Sequence, residues 1–234
     1  MPRIRSTAGL AALALVAAGC GGDDKVDTPD VDEAYAQYHS APAIMADGFA
    51  TMLALETVHV RAEIKEKGRS TLMDLSLRRD GDCLGTLQIP GWTEPADFVV
   101  ADGLDYVRGS AEFWSAAPEG DAAAERYAGR WVTTGDLASY CDFESRLAPF
   151  DRPIDEKLTS KDGLGDVDGA DVVKVSTPTQ GGRLRAWVEV AEPHHVPRLE
   201  LTGGRATGEL ELSGFDDDVE VEAPPAGDVV EFTG

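Results

Sequence analysis

The stretch VHVRAEIKEKGRSTLMDLSLR, residues 58–78, decides the fold. Apolar residues alternate with polar ones at both of its ends, and the apolar members are Val58, Val60, Ala62, Ile64, Met73, Leu75 and Leu77. Because successive side chains of a strand point to opposite faces, each end predicts a strand with one buried and one solvated face. The turn EKGR between them completes the pattern of an antiparallel β-hairpin.

The same period of two predicts more strands along the chain. Residues 84–89 and 98–107 extend the meander, and the turn ADGLD divides the second of these segments. After Pro149 the alternation returns around Val173 and Val175, Leu184 to Val190, Leu199 and Leu201, Leu210 and Leu212, and Val219 and Val221. The sequence therefore predicts about 9–11 strands, separated largely by turns rich in glycine or proline.

Helical spacing is found near the start of the predicted domain and in its middle. Residues 43–55 predict a helix, with Met45, Phe49, Met52 and Leu53 on one face. The segments SAEFWSAA (110–117) and DAAAERYAG (121–129) predict two short helices. DLASYCDFESRLAPF (136–150) predicts a longer helix that begins at Asp136 and buries Cys141. We expect these helices to cover one face of the sheet.

The predicted fold class is α+β, with a strongly curved antiparallel sheet and a few helices over its concave face. Ten strands at about 4.8 Å spacing span about 48 Å, whereas one helix covers about 10 Å, so the sheet must curl around the helices. The enclosed hollow is either filled by side chains or open to an apolar ligand, and the pattern leaves both possibilities open. The residues that we expect to line the hollow are Val60, Leu75, Val100, Phe113 and Trp114.

The N-terminus has the features of an export signal. Arg3 and Arg5 precede an apolar run that is shorter than the roughly 20 residues of a membrane span. The small residues before Cys20 resemble a bacterial lipobox, which implies that Cys20 receives a diacylglycerol group with fatty acids such as palmitate and becomes the N-terminus. An ordinary signal peptide followed by a chance cysteine is the alternative.

The lipobox interpretation defines the domain organisation and the location. We expect a signal peptide over residues 1–19, a lipidated N-terminus and flexible tether over residues 20–42, and one domain over residues 43–234. The lipid would hold this domain on the extracytoplasmic face of the cell membrane.

Two cysteines remain once Cys20 is lipidated, and they are Cys83 and Cys141. An even remainder in an exported chain predicts one disulfide. It would join the start of a strand to the buried face of a helix. Because the sequence has no Cys-X-X-Cys element, a redox role is not expected.

Charge restricts the class of partner. The chain has a formal charge of −22, and loss of Arg3 and Arg5 with the signal peptide makes it −24. Such acidity repels nucleic acid and anionic membrane surfaces, so attachment should depend on the lipid. We expect a monomer that has no cofactor, and the sequence identifies no protein partner.

Three segments invite a chemical interpretation, as a metal site, a calcium loop or a partner contact, but a structural role is favoured for each. The adjacent His194 and His195 would point to opposite faces of an extended segment, which favours a turn before Pro197 over a metal site. The stretch DGLGDVDGAD (162–171) lacks the glycine and glutamate that a calcium loop begun at Asp166 requires. Trp187 falls on the same side as charged neighbours, which favours packing on the outer face over a partner contact.

Catalytic signatures are also missing from the sequence. No G-x-S-x-G or S-x-x-K element is present for a serine hydrolase. A chance pair of carboxylates among the 43 acidic residues is the enzymatic alternative that stays open. We expect the chain not to be an enzyme.

The order of lipobox, tether, helix, meander, short helices and further strands resembles the LolA-like fold of the LppX and LprG lipoprotein carriers of high-GC Gram-positive bacteria. The likeness is carried by GLDYVRGSAEFW (103–114), GRWVTTGD (129–136) and the run from DVDGADVVKVS (166–176) to GELELSGFDDDVEVEAPP (208–225). It implies a half-barrel whose hollow holds the acyl chains of a lipid or lipoglycan, and it implies no reaction. The alternative is a surface lipoprotein with a filled core that displays an interaction face.

Overall fold

The computed structural model describes residues 31–233, so the predicted signal peptide, Cys20 and most of the predicted tether lie outside the described residues. The α-helices are Val31–Tyr38 (α1), Ala41–Ala54 (α2), Ala111–Ser115 (α3), Asp121–Tyr127 (α4) and Phe143–Leu147 (α5), and short 3₁₀ helices lie at Ala138–Cys141 and Ala226–Asp228. The predicted helices over residues 43–55, 110–117 and 121–129 are therefore confirmed as α2, α3 and α4.

The strands form one sheet of 12 members. They are Thr57–Glu66 (β1), Arg69–Arg78 (β2), Cys83–Gln88 (β3), Ala96–Ala101 (β4), Leu104–Arg108 (β5), Trp131–Thr133 (β6), Ser160–Val167 (β7), Ala170–Thr179 (β8), Gly182–Glu189 (β9), Arg198–Gly203 (β10), Ala206–Ser213 (β11) and Val229–Glu231 (β12). Their spatial order is β12-β6-β5-β4-β3-β2-β1-β11-β10-β9-β8-β7, and all neighbours are antiparallel except β12 and β6. The α+β class with a large antiparallel sheet is confirmed.

The predicted hairpin forms between β1 and β2. Val60 lies opposite Leu75, and Ala62 lies opposite Met73. Lys67 and Gly68 have φ angles of 52° and 78°, which is the left-handed conformation that tight hairpin turns require. The apolar members of both strands consequently point to one face, which we call the inner face.

The long helix α2 lies close to the inner face at β8 and β9. Its Gly48 allows this approach, because an added Cβ would lie 2.9 Å from a methyl carbon of Val188 and 2.9 Å from one of Val196. Ile44, Met45, Phe49 and Met52 of the same helix are buried. A single apolar core therefore extends from α2 across the sheet to the shorter helices.

The outer face carries the charged partners of the alternation. Trp187 lies here, as predicted, with its ring centroid 5.9 Å from the Arg185 guanidinium and 5.0 Å from that of Arg198. Trp187 is only 8% exposed. Both guanidinium groups are therefore within cation–π distance of the Trp187 ring on the outer face.

The prediction of one helix over residues 136–150 is wrong. A 3₁₀ helix ends at Cys141, and Asp142 then adopts an extended conformation with φ −63° and ψ 100°. The Asp142 carboxylate accepts a hydrogen bond from the backbone N–H of Ser145 at 3.2 Å and so begins α5. An aspartate in this role competes with a continuous helix, because its side chain replaces an intrahelical backbone bond.

Strand predictions failed at four places, and one predicted tether region is partly helical. No strand forms at Val219 and Val221, where two prolines follow closely and lack N–H donors for a sheet. Strands β6, β7 and β12 were not predicted, since two of them have three residues and β7 is largely exposed and lacks alternation. Helix α1 occupies residues that were assigned to the tether.

Candidate functional site

The candidate site is the hollow between the inner face and the helices. Val60 and Leu75 lie directly opposite each other on β1 and β2. Val100 lies two strands further along, opposite Cys83 of β3. Phe113 and Trp114 belong to α3, on the cover. The fold therefore brings all five predicted residues into one apolar core.

An aromatic cluster forms the part of the cover that lies over the β4 to β6 side. The Phe113 ring centroid lies 4.1 Å from that of Trp92, and the Trp114 centroid lies 5.2 Å from that of Tyr127. Gly109 is required beside this cluster, because a Cβ there would lie 2.2 Å from a ring carbon of Phe113. The indole nitrogen of Trp114 is buried and has no hydrogen-bond partner among the described residues.

Side chains fill the hollow in this structure. The exposed fractions of the five predicted residues are 1% for Val60, 0% for Leu75, 2% for Val100, 3% for Phe113 and 2% for Trp114. Protein interiors at this degree of burial are packed about as densely as organic crystals. An acyl chain could therefore enter only if part of the cover moved away from the sheet.

The described residues also form three depressions on the protein surface, outside the packed hollow. One of about 460 Å³ lies on the outer face and includes Arg61, Leu72 and Asp74 in its lining. Another of about 540 Å³ lies between α1, α2 and the loop after β9. A third of about 370 Å³ includes Val100 in its lining, together with residues of the turns after β2 and β4 and with Ala138 and Phe143 of the short helices. The first two depressions lie on the outer face and beside α1, whereas the third lies at the edge of the cover, between turns of the sheet and the short helices.

The predicted disulfide between Cys83 and Cys141 is present, with a Cα–Cα distance of 5.7 Å. Both cysteines are completely buried. Since Cys83 begins β3 and Cys141 ends the first 3₁₀ helix, the bond ties the cover to the inner face next to Val100. The cover is thus covalently fixed at one point.

Two polar side chains that sequence reasoning missed also hold the cover. The Asp105 carboxylate is 2% exposed and accepts hydrogen bonds from the backbone N–H of Gly135 at 2.7 Å, the N–H of Leu137 and the Thr134 hydroxyl. Arg79 donates from its guanidinium to the carbonyl oxygens of Leu53 and Leu55 at the end of α2. The GRWVTTGD motif, which supplies the donors Thr134 and Gly135 to Asp105, was the available signal for the first contact.

The two adjacent histidines lie in the loop between β9 and β10, where a turn was predicted. The His194 ring stacks on Tyr35 of α1 with centroids 4.2 Å apart, and the His195 ring stacks on Phe215 at 4.1 Å. The Tyr35 hydroxyl donates to Asp47 at 3.2 Å, and burial followed by the Asp47 charge raises the pKa of Tyr35. Within residues 34–233, no group of three or more His, Cys, Asp or Glu side chains could hold a metal ion.

Comparison with known proteins gives similarity at the level of structure. No protein-family model and no curated protein sequence matches the chain. The crystal structure of LprF from Mycobacterium bovis has a TM-score of 0.57 at 16% identity, and the alignment covers 79% of this chain and 96% of that one. The crystal structure of the Mycobacterium tuberculosis lipoprotein LppX has a TM-score of 0.51 at 16% identity, covering 78% of this chain and 98% of LppX.

These alignments extend over nearly the whole of both neighbours, so they concern the complete domain rather than one hairpin. None of the helices among residues 31–233 has both the length and the apolar character of a membrane span. The sheet order, the helical cover and both alignments agree with the resemblance found in the sequence. The chain therefore has the fold of LprF and LppX.

Proposed function

We propose that this chain is a lipid-anchored extracytoplasmic lipoprotein that binds the acyl chains of a lipid or lipoglycan between its sheet and its helical cover. The N-terminal sequence supports export and lipidation at Cys20. The LppX-type fold supports the assignment to lipoproteins, because LppX itself is described as one. We propose no reaction for the domain.

The observation that carries the acyl-chain proposal is an apolar interior beneath a cover made partly of very short helices. Helices α3, α4 and α5 have five, seven and five residues. Isolated helices of fewer than about 12 residues are marginal in water, so these depend on packing for their stability. An acyl chain could replace their contacts with the sheet and gain about 0.8 kcal/mol for each CH2 group removed from water.

A second candidate function follows from the burial of the predicted lining. On this alternative the interior, in which Val60, Leu75, Val100, Phe113 and Trp114 are all at most 3% exposed, serves only as a core. The domain would then display an interaction face at the membrane and bind no lipid. The two functions differ in whether the cover can move away from the sheet.

Lipid uptake by the Cys20→Ser chain separates the two functions. Native mass spectrometry should detect non-covalent lipid on the purified protein, and the protein should take up a fluorescent fatty acid. The Cys83→Ala/Cys141→Ala variant should take it up several-fold faster, because the disulfide that restrains the cover is removed. Leu104→Ser, which changes an exposed side chain, serves as the matched control and should behave like the parent.

Lipid-free preparations that also fail to take up fatty acid, with and without the disulfide, would favour the display function. Circular dichroism of the disulfide-free variant ensures that its uptake is measured on folded protein. An equal uptake rate with and without the disulfide would contradict movement of the cover at this point.

The anchor itself is tested in the native host. Cys20→Ser should leave the chain secreted or uncleaved, whereas the parent chain stays in the membrane fraction. The mass of the mature N-terminus should include a diacylglycerol group. A mature N-terminus of the parent chain without a diacylglycerol group would overturn the anchor.

A further inference from the structure

Exposed apolar side chains gather at one end of the sheet, beside the helix through which the chain enters the domain. The exposed fractions are 72% for Tyr38, 59% for Leu158 and 60% for Leu164. Leu164 belongs to β7, the last strand of the sheet, and Tyr38 ends α1. We call these three residues the edge patch.

Contacts between α1 and β7 place the edge patch on one side of the molecule. The Lys161 ammonium group donates to the carbonyl oxygen of Ala36 at 2.8 Å. A groove of about 290 Å³ separates the two elements, and Ala36, Gln37, Lys161 and Leu164 are among its lining residues. Leu158 lies three residues before Lys161 and so within about 10 Å of it along the chain.

The position of Cys20 directs this edge toward the membrane. Ten residues, 21–30, separate Cys20 from the start of α1. Even a fully extended chain of that length spans only about 36–40 Å from Cys20 to Val31. Tyr35 fixes α1 against the domain through its stack on His194 and its hydrogen bond to Asp47. The end of the domain that carries α1 is therefore the end that the anchor holds nearest to the bilayer.

Charge determines which kind of bilayer surface this edge can contact. Lys157 and Lys161 lie within the same stretch as Asp155, Glu156 and Asp162, so the edge has no excess of positive charge. Attraction to anionic headgroups is therefore not available. Leucine and tyrosine side chains instead favour the boundary between headgroups and acyl chains of a zwitterionic bilayer.

From these observations we infer that the edge patch docks on the zwitterionic surface of the bilayer that holds the anchor, with Leu158, Leu164 and Tyr38 in the interfacial layer. This inference rests on the proposed anchor at Cys20. Docking would present the β7 end of the domain to the lipid and leave the β4–β5 turn, where Leu104 is 54% exposed, directed elsewhere.

Fluorescence quenching of the mature chain on vesicles tests the inference. A hexahistidine tag in place of Cys20 attaches the chain to phosphatidylcholine vesicles that contain nickel-chelating lipid, so the test does not depend on natural lipidation. A nitrobenzoxadiazole fluorophore is placed on Leu164→Cys or, as the matched control, on Leu104→Cys. Nitroxide-labelled lipid should quench the fluorophore at position 164 at least twofold more than that at position 104.

Two further variants exclude an effect of the fluorophore alone. Tyr38→Ser together with Leu158→Ser should reduce the quenching at position 164, whereas Leu104→Ser should leave it unchanged. Equal quenching at both labelled positions, or none at position 164, would overturn the inference. A dimer that buries position 164, detected by size-exclusion chromatography with light scattering, would also overturn it. Failure of the anchor would be seen separately, in the mass of the natural N-terminus.

Discussion

Two parts of the helical cover are held to the same sheet in different ways. Helix α2 is one element of 14 residues with a serine N-cap, and its Gly48 lets it lie directly on β8 and β9. The short-helix segment, residues 109–150, contains α3, α4, α5 and a 3₁₀ helix, none longer than seven residues. It is held by a disulfide, a buried carboxylate and an aromatic cluster.

The difference shows how the length of a helix determines what must hold it. A helix of 14 residues can present a complete apolar face for close packing, and Arg79 adds one polar contact at its end. Short helices present one or two apolar side chains each and need cross-links at defined points. If lipid enters the hollow, the short-helix segment is therefore the part of the cover that we expect to move.

The disulfide should have the largest effect on the short-helix segment. Cys83→Ala/Cys141→Ala should lower the free energy of unfolding by about 4 kcal/mol on the chain-entropy model, given the sequence separation of 58 residues. Guanidinium unfolding measures this change, and chemical reduction of the parent chain should reproduce it. A loss below about 1 kcal/mol would show that the disulfide does not restrain this segment. Thiol titration of the unfolded, unreduced Cys20→Ser chain should find no free thiol.

Asp105 should have the next largest effect. Asp105→Ala should destabilise the domain by about 3 kcal/mol, because the donors from Thr134, Gly135 and Leu137 lose a buried partner. Asp97→Ala is the matched control, since it breaks an exposed ion pair with Arg108 and should cost at most about 1 kcal/mol. Equal losses for the two variants in urea unfolding would show that Asp105 is not a structural cross-link.

On the α2 side, the corresponding variant tests packing rather than cross-links. Gly48→Val should lower the free energy of unfolding by about 2 kcal/mol, because its side chain would collide with Val188 and Val196. Ala46→Val changes an exposed position of the same helix and should cost only about 0.5 kcal/mol through helix propensity. A neutral Gly48→Val would mean that α2 can move outward from the sheet as easily as the short helices.

The sequence predicted the elements whose pattern is long and regular. The β1–β2 hairpin, α2 and the strands β8 to β11 all carry alternation or helical spacing over many residues, and each formed where it was expected. The disulfide partners followed from the cysteine count, and the strand residues of the predicted lining, Val60, Leu75 and Val100, followed from the alternation. These features depend on local periodicity, which a single sequence contains.

The features that were missed depend on contacts between distant residues. Strands β6 and β12 have three residues each, so their pairing is determined by the tertiary structure and leaves no periodic pattern. Whether the hollow is open or filled depends on how side chains of Trp92, Phe113 and Tyr127 fit together. The break at Asp142 was missed because the segment 136–150 keeps helical spacing across it, and the capping bond to Ser145 is visible only in the structure.

The helix caps should have the smallest effect on stability, and each of the two parts of the cover has one. Ser40 caps α2 by accepting from the N–H of Ala43, and Asp142 caps α5 by accepting from the N–H and hydroxyl of Ser145. Ser40→Ala and Asp142→Ala should each cost about 1 kcal/mol at neutral pH. Unfolding at pH 7 measures both losses against the parent chain.

Of the two capping variants, only Asp142→Ala should cause a loss of stability that depends on pH. The hydrogen bond from the Ser145 side chain, followed by that from its backbone N–H, lowers the pKa of Asp142 in the folded protein. A carboxylate with a lowered folded pKa stabilises the fold above its unfolded pKa, and this contribution is lost as the pH falls through the folded pKa. The difference between the parent and Asp142→Ala should therefore shrink below about pH 4, whereas the difference for Ser40→Ala should stay constant, since serine does not titrate there. Urea unfolding at pH 7, 5 and 3 provides the measurement. An Asp142→Ala difference that is unchanged at pH 3 would show that the Asp142 side chain stabilises the short-helix segment through its packing and not through its charged cap.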